Sequence, residues 1–154
     1  MLFAVLVSSV LLSVGLSIFN LTVKELVLSS SGRESQFSFY AADTGAECTF
    51  YWDFNGVDIF AKSNESRTPS NPTPDCAGNF INIDPITSDF NSATTKFSLN
   101  IPVVNPEYCA IVTIKKWSDN PPIINTEIDS RGYNTPCSDT TNSNRVERAL
   151  KVTY

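Results

Sequence analysis

The chain has 154 residues, of which 42% are hydrophobic and 18% charged, with a formal net charge of −5. That balance suits a folded chain, and the length left after the apolar N-terminus suits one small domain. An acidic chain without a basic run gives nucleic-acid recognition no support, and the absence of histidine removes the commonest general base and metal ligand.

Residues 1–20, MLFAVLVSSVLLSVGLSIFN, carry no charge, and the first charged residue is Lys24. The run approaches the roughly 20 apolar residues that a bilayer-spanning helix needs. Its Ser8, Ser9, Ser13, Gly15 and Ser17 are small enough to let helices approach one another closely. A plain lipid-facing anchor would tolerate these residues without needing them. A secretory signal peptide would begin with a basic segment and end in a loop at its cleavage site. Neither feature is present: the small-residue site Ser13-Val14-Gly15 lies inside the apolar run, and helix-compatible sequence continues past it.

The continuation predicts one helix of about 50 residues, ending near Phe54 with Asn55-Gly56 as its stop. Phe37, Ala41, Thr44, Cys48 and Tyr51 or Trp52 recur at helical steps, so the second half is expected to be amphipathic. Gly32 and Gly45 each weaken the helix by about 1 kcal/mol. At 1.5 Å per residue such a helix is roughly 75–80 Å long, more than a domain of this size can bury. Its N-terminal half must be covered by lipid, by partners, or by each in turn.

Residues 61–79 are rich in Ser, Thr, Asn and Pro and read as a surface loop; Asn64 heads a glycosylation sequon within it. Strand-like runs follow at 80–83, 96–104, 108–117, 123–128 (extending toward 133) and 145–154, with Asn105-Pro106, Asn120-Pro121-Pro122 and Gly132 as punctuation. Short connections predict an antiparallel sheet. The expected fold is therefore α+β: a long N-terminal helix with an apolar first half and a second half packed on a four-stranded antiparallel sheet. Residues 1–30 form the hydrophobic helix and residues 31–154 the globular head.

Four cysteines, Cys48, Cys76, Cys109 and Cys137, are separated by 28, 33 and 28 residues. No Cys-x-x-Cys pair suggests zinc or thioredoxin-type chemistry, and an even count beside an apolar N-terminus suggests two disulfides. Of three pairings, Cys48–Cys76 with Cys109–Cys137 is favoured, since each closes a local loop. Four buried free thiols are the alternative.

No catalytic set emerges. Missing histidine excludes Ser–His–Asp and Cys–His arrangements, and no phosphate or dinucleotide loop is present, so neither an enzyme nor a cofactor is expected. Asp84 and Asp89, and Asp129 beside Arg131, read as solvated acids. Asp139, Asn142 and Asn144 could offer oxygens to calcium but lack the alternation and closing Glu of a calcium loop. Lys115-Lys116-Trp117 reads as a solvated strand edge, where lysine discourages unwanted pairing; a contact for DNA or another subunit is the alternative. Arg145, Arg148 and Lys151 form the other basic cluster.

The layout resembles the type IV pilin superfamily. The segment from Arg33 to Cys48, with Phe39-Tyr40-Ala41-Ala42-Asp43, is similar to the helix of PilX-type pilus-assembly pilins. Ile128-Asp-Ser-Arg-Gly-Tyr133 and Arg145–Tyr154 resemble the last two strands of that group. The resemblance implies a structural subunit that waits in the bacterial inner membrane and is then built into an extracellular helical filament. Its partners would be copies of itself, a prepilin peptidase and the pilus assembly machinery, with Met1 as a processed, methylated N-terminus. The filament core would be packed by Met1, Leu2, Phe3, Val5, Leu6, Ser9, Leu12, Ser13, Leu16 and Phe19. Two departures stand out. Val5 occupies the position where pilins usually carry Glu, a feature compatible with a minor, priming or tip subunit. Thr22 replaces the usual helix-distorting proline, leaving Gly15 as the candidate point of unwinding. The competing reading is a bitopic, membrane-anchored surface binding protein.

Overall fold

The computed structural model describes residues 2–55, 59–60, 74–83, 87–88, 91–102, 107–120 and 122–154. One helix, α1, runs from Leu2 to Phe54. It is followed by β1 (Asp75–Cys76), β2 (Asn79–Phe80), β3 (Asn82–Ile83), β4 (Thr87–Ser88), β5 (Ser92–Ile101), β6 (Tyr108–Asn120), β7 (Ile123–Tyr133) and β8 (Glu147–Thr153). The chain divides into two compact units, Met1–Glu34 and Ser35–Tyr154.

In the second unit, β5, β6, β7 and β8 form an antiparallel sheet in sequence order. The two-residue β3 and β4 pair with β5, while β1 and β2 form a separate hairpin. Register follows from alternation: Ala93, Thr95, Phe97, Leu99 and Ile101 of β5 are all buried, with exposed or half-buried residues between them. Val112 and Ile114 of β6 and Ile128 of β7 extend the same inner face, and Phe60 stacks on Phe97 with centroids 6.2 Å apart. The unit is α+β, with residues 35–54 of α1 packed on this face.

The strands depart from expectation at their ends. β5 starts at Ser92 and stops at Ile101 before Pro102, which can donate no ladder hydrogen bond. Val103 and Val104 lie outside the described residues. β6 continues to Asn120, and the expected run at 80–83 divides between β2 and β3. Gly132, expected as a turn, sits inside β7 opposite Ala110 and Arg148.

The helix face against the sheet keeps part of the expected stripe, with Ala41 in the core and Cys48 and Trp52 packed half-buried against it, but is centred elsewhere. Its buried residues are Ser38, Ala41, Ala42, Gly45, Ala46 and Thr49, while Tyr51 is exposed. Helix and sheet meet too closely for large side chains there. A Cβ on Gly45 would lie 2.6 Å from Ser130 Oγ and 2.8 Å from Val112 Cγ2. A Cβ on Gly132 would run into the Ser38 carbonyl oxygen and the Ala42 amide nitrogen. Large rings flank the contact instead, with Phe37 stacked on Tyr108 at 5.0 Å. Small residues thus occupy the centre of the interface.

Cys48 is bonded to Cys76 and Cys109 to Cys137, with Cα–Cα distances of 5.9 and 4.9 Å. The first ties α1 to the β1–β2 hairpin, and the second ties the start of β6 to the segment leading into β8.

Candidate functional site

The first unit presents an apolar surface. Every described side chain from residue 3 to residue 33 is exposed, including Phe3, Val5, Leu6, Leu12, Leu16 and Phe19. Met1 lies outside the described residues, as does the side chain of Leu2. By length and composition α1 is able to cross a membrane.

The hydroxyls of the apolar run, from Ser8 to Thr22, are bonded back into the helix. Ser8 donates to the Val5 carbonyl (2.9 Å), Ser9 to Leu6 (2.8 Å), Ser13 to Val10 (2.8 Å), Ser17 to Ser13 (2.9 Å) and Thr22 to Ile18 (2.9 Å). A hydroxyl bonded back into its own helix places no unpaired donor in hydrocarbon, where one would cost several kcal/mol. The polar residues therefore leave the surface compatible with lipid or with another apolar helix. Gly15 lies in regular helix with no atom near its missing Cβ.

The basic clusters are dispersed by the fold. β6 is an inner strand, so Lys115-Lys116-Trp117 does not lie at a sheet edge. Lys115 stays exposed, its Nζ 5.8 Å from the Trp117 ring centroid. Lys116 points to the helix side, is only 6% exposed, and forms an ion pair with Asp53 near the end of α1. The Tyr154 hydroxyl donates to the other Asp53 oxygen at 2.7 Å. Burial, followed by the bond to Asp53, raises the Tyr154 phenol well above its ordinary pKa. Arg148 reaches Ser35 Oγ at 2.8 Å, Lys151 pairs with Glu127 at 3.0 Å, and Arg145 lies over the Tyr133 ring at 3.9 Å. Each of these cations has its own contact within the head, and they form no joint basic patch.

The acidic candidates are likewise engaged. Asp129 and Glu147 both pair with Arg131 at 3.3 Å. Asn142 donates to Asp139 at 3.1 Å, and Asn142 Oδ1 accepts the Asn144 amide at 3.0 Å. Among the described residues no His, Cys, Asp and Glu cluster could hold a metal. Asp84, Asp89 and Asn64 lie outside the described residues.

Sequence reasoning missed the Asp53–Lys116–Tyr154 group. A usable signal was present: Lys116 continues the inward series Ala110, Val112, Ile114 at period two. Comparison with protein-family models, characterised proteins and solved structures finds no match to this chain.

Proposed function

We propose that this protein is a structural subunit of an extracellular, type IV pilus-like helical filament, polymerising through its apolar N-terminal helix. The observation that carries the reading is the surface of residues 3–33: exposed throughout, apolar over most of its length, and bonded internally at Ser8, Ser9, Ser13 and Ser17. Such a surface needs a cover. In the membrane lipid supplies it, and after assembly the helices of other copies do.

Exchange of lipid for helix gains little net hydrophobic energy, so close packing at Ser9, Ser13 and Gly15 carries the specificity. Many weak lateral contacts then hold a polymer that can still be dismantled. The sequence from residue 20 to residue 54 holds no Pro- or Gly-rich stretch that reads as a linker, which favours a filament subunit over an anchored receptor that gains reach from a loose stalk.

Deletion of residues 1–28 is the test. Cells producing the full chain should carry filaments by electron microscopy, and the deletion should abolish them and release a soluble, monomeric, disulfide-bonded head. Filaments that persist without the protein would limit it to a minor role. A full chain that stays dispersed in the membrane and never polymerises would establish the anchored binding protein instead.

A further inference from the structure

Lys116 is the one charged side chain among the buried residues described. It lies on an inner strand between Ala93 and Thr126, which are themselves buried. Its Nζ is in direct contact with Asp53 Oδ1, across 63 residues of sequence, and the two side chains retain 7% and 10% of their accessibility. Tyr154 OH bonds Asp53 Oδ2 at 2.7 Å. That tyrosine ring stacks on Phe54 (5.3 Å) and lies tilted against Phe50 (5.4 Å), placing aromatic surface beside the carboxylate.

As an ion pair this arrangement is poorly rewarded. Desolvating two charges offsets much of their attraction. Asp53 also sits in the last turn of α1, where the helix dipole disfavours an anion and the turn itself carries no basic residue. Both penalties disappear if the two groups condense.

We propose that Lys116 and Asp53 are joined by an intramolecular amide bond, a cross-link between the end of α1 and β6. The Nζ–Cγ bond forms and the Cγ–Oδ2 bond breaks. Oδ2 leaves as water, taking two protons from the lysine ammonium, so one cation and one anion become a neutral amide with no external reagent. Tyr154 holds the oxygen that departs: its hydroxyl can lend a proton to Oδ2 and recover one from the ammonium. Holding the two groups together makes the condensation effectively unimolecular, a rate advantage that for well-oriented groups reaches effective molarities of about 10⁵–10⁸ M. The proposal rests on these three residues and is independent of the filament reading.

The test is the intact mass of the full chain, purified in detergent and measured unfolded with its disulfides oxidised. The expected mass is one water below that of the uncross-linked chain, and digestion should yield a single species joining the Asp53 and Lys116 peptides. Lys116→Arg and Asp53→Ala should each restore the missing water, and Tyr154→Phe should leave a fraction of chains uncross-linked. A wild-type chain of full mass, with the two peptides separate, overturns the cross-link and leaves an ion pair. A water deficit confined to one peptide overturns it equally.

Discussion

Gly132 of β7 lies against the backbone of α1 at Ser38 and Ala42, and two residues away Ser130 Oγ donates to the Ala42 carbonyl at 2.6 Å. The helix is therefore seated on the sheet by backbone contact and one buried hydroxyl. Ser38 Oγ adds a second tie, to the Val146 carbonyl at 2.9 Å.

Three glycine substitutions should separate by this geometry. Gly132→Ala puts a methyl into immovable backbone and should destabilise the head by about 3 kcal/mol, at the upper end of the usual cost of overpacking. Gly45→Ala meets side-chain atoms of Ser130, Val112 and Ala110 at 2.6 to 3.1 Å, which offsets the roughly 1 kcal/mol that alanine gains in a helix. Gly32→Ala meets nothing within 4 Å and should simply slow amide exchange around residue 32. Urea midpoints for the first two and exchange for the third check the order. Equal destabilisation by Gly132→Ala and Gly45→Ala would contradict the close approach at β7.

The disulfides make a second quantitative case. Each closes a separation of 28 residues, worth about 3–4 kcal/mol in the chain-entropy account. Replacing Cys109 and Cys137 together by alanine should lower the stability of the head by that amount. Chemical denaturation with the Cys48–Cys76 bond intact measures it, and a loss below about 1 kcal/mol would mean that the segment entering β8 is already ordered in the unfolded chain.

What was legible in the sequence and what was not divides along physical lines. The long helix and the sheet were readable because apolar residues recur at fixed periods, as Ala93 to Ile101 do in β5. That the second half of the helix packs on the sheet was readable too; that Ser38, Ala42, Gly45 and Gly132 make the closest contact was not, because they carry almost no hydropathy signal and are chosen for size. Gly132 read as punctuation because glycine marks turns as readily as close approaches. Lys116 read as an edge residue because strand order is a tertiary fact, and only its parity with Val112 and Ile114 hinted otherwise. The apolar character of residues 1–20 was plain, since a charge-free run needs no tertiary context to be recognised.

Tyr154 gives the head a pH dependence. Its phenol is raised above the ordinary value of about 10, chiefly by burial, a cause that remains whether Asp53 is a carboxylate or the amide proposed above. A raised folded-state pKa means that the neutral phenol is favoured in the fold. Its contribution is fully present below the unfolded pKa and is lost as pH rises toward the folded one. The thermal midpoint should therefore decline above about pH 10, and Tyr154→Phe should flatten that part of the profile. An unchanged profile in the variant would assign the decline to another group.

The apolar helix allows anchoring and packing to be separated. Ser13 bonds Val10 within its own helix, and Gly15 has no neighbour of its own. Gly15→Leu adds apolar surface, so membrane retention should be unaffected or stronger. If other copies pack against this stretch, the same leucine blocks their approach and filaments should be lost. Leu12→Lys should instead weaken retention itself, because lysine at the centre of a spanning helix costs about 2.5–3.5 kcal/mol. Membrane fractionation and electron microscopy of the two variants read the two effects independently. Filaments of normal number and length from Gly15→Leu would show that the small residues do not form the packing surface, and the assembly contact would then have to be sought on another face of residues 3–28.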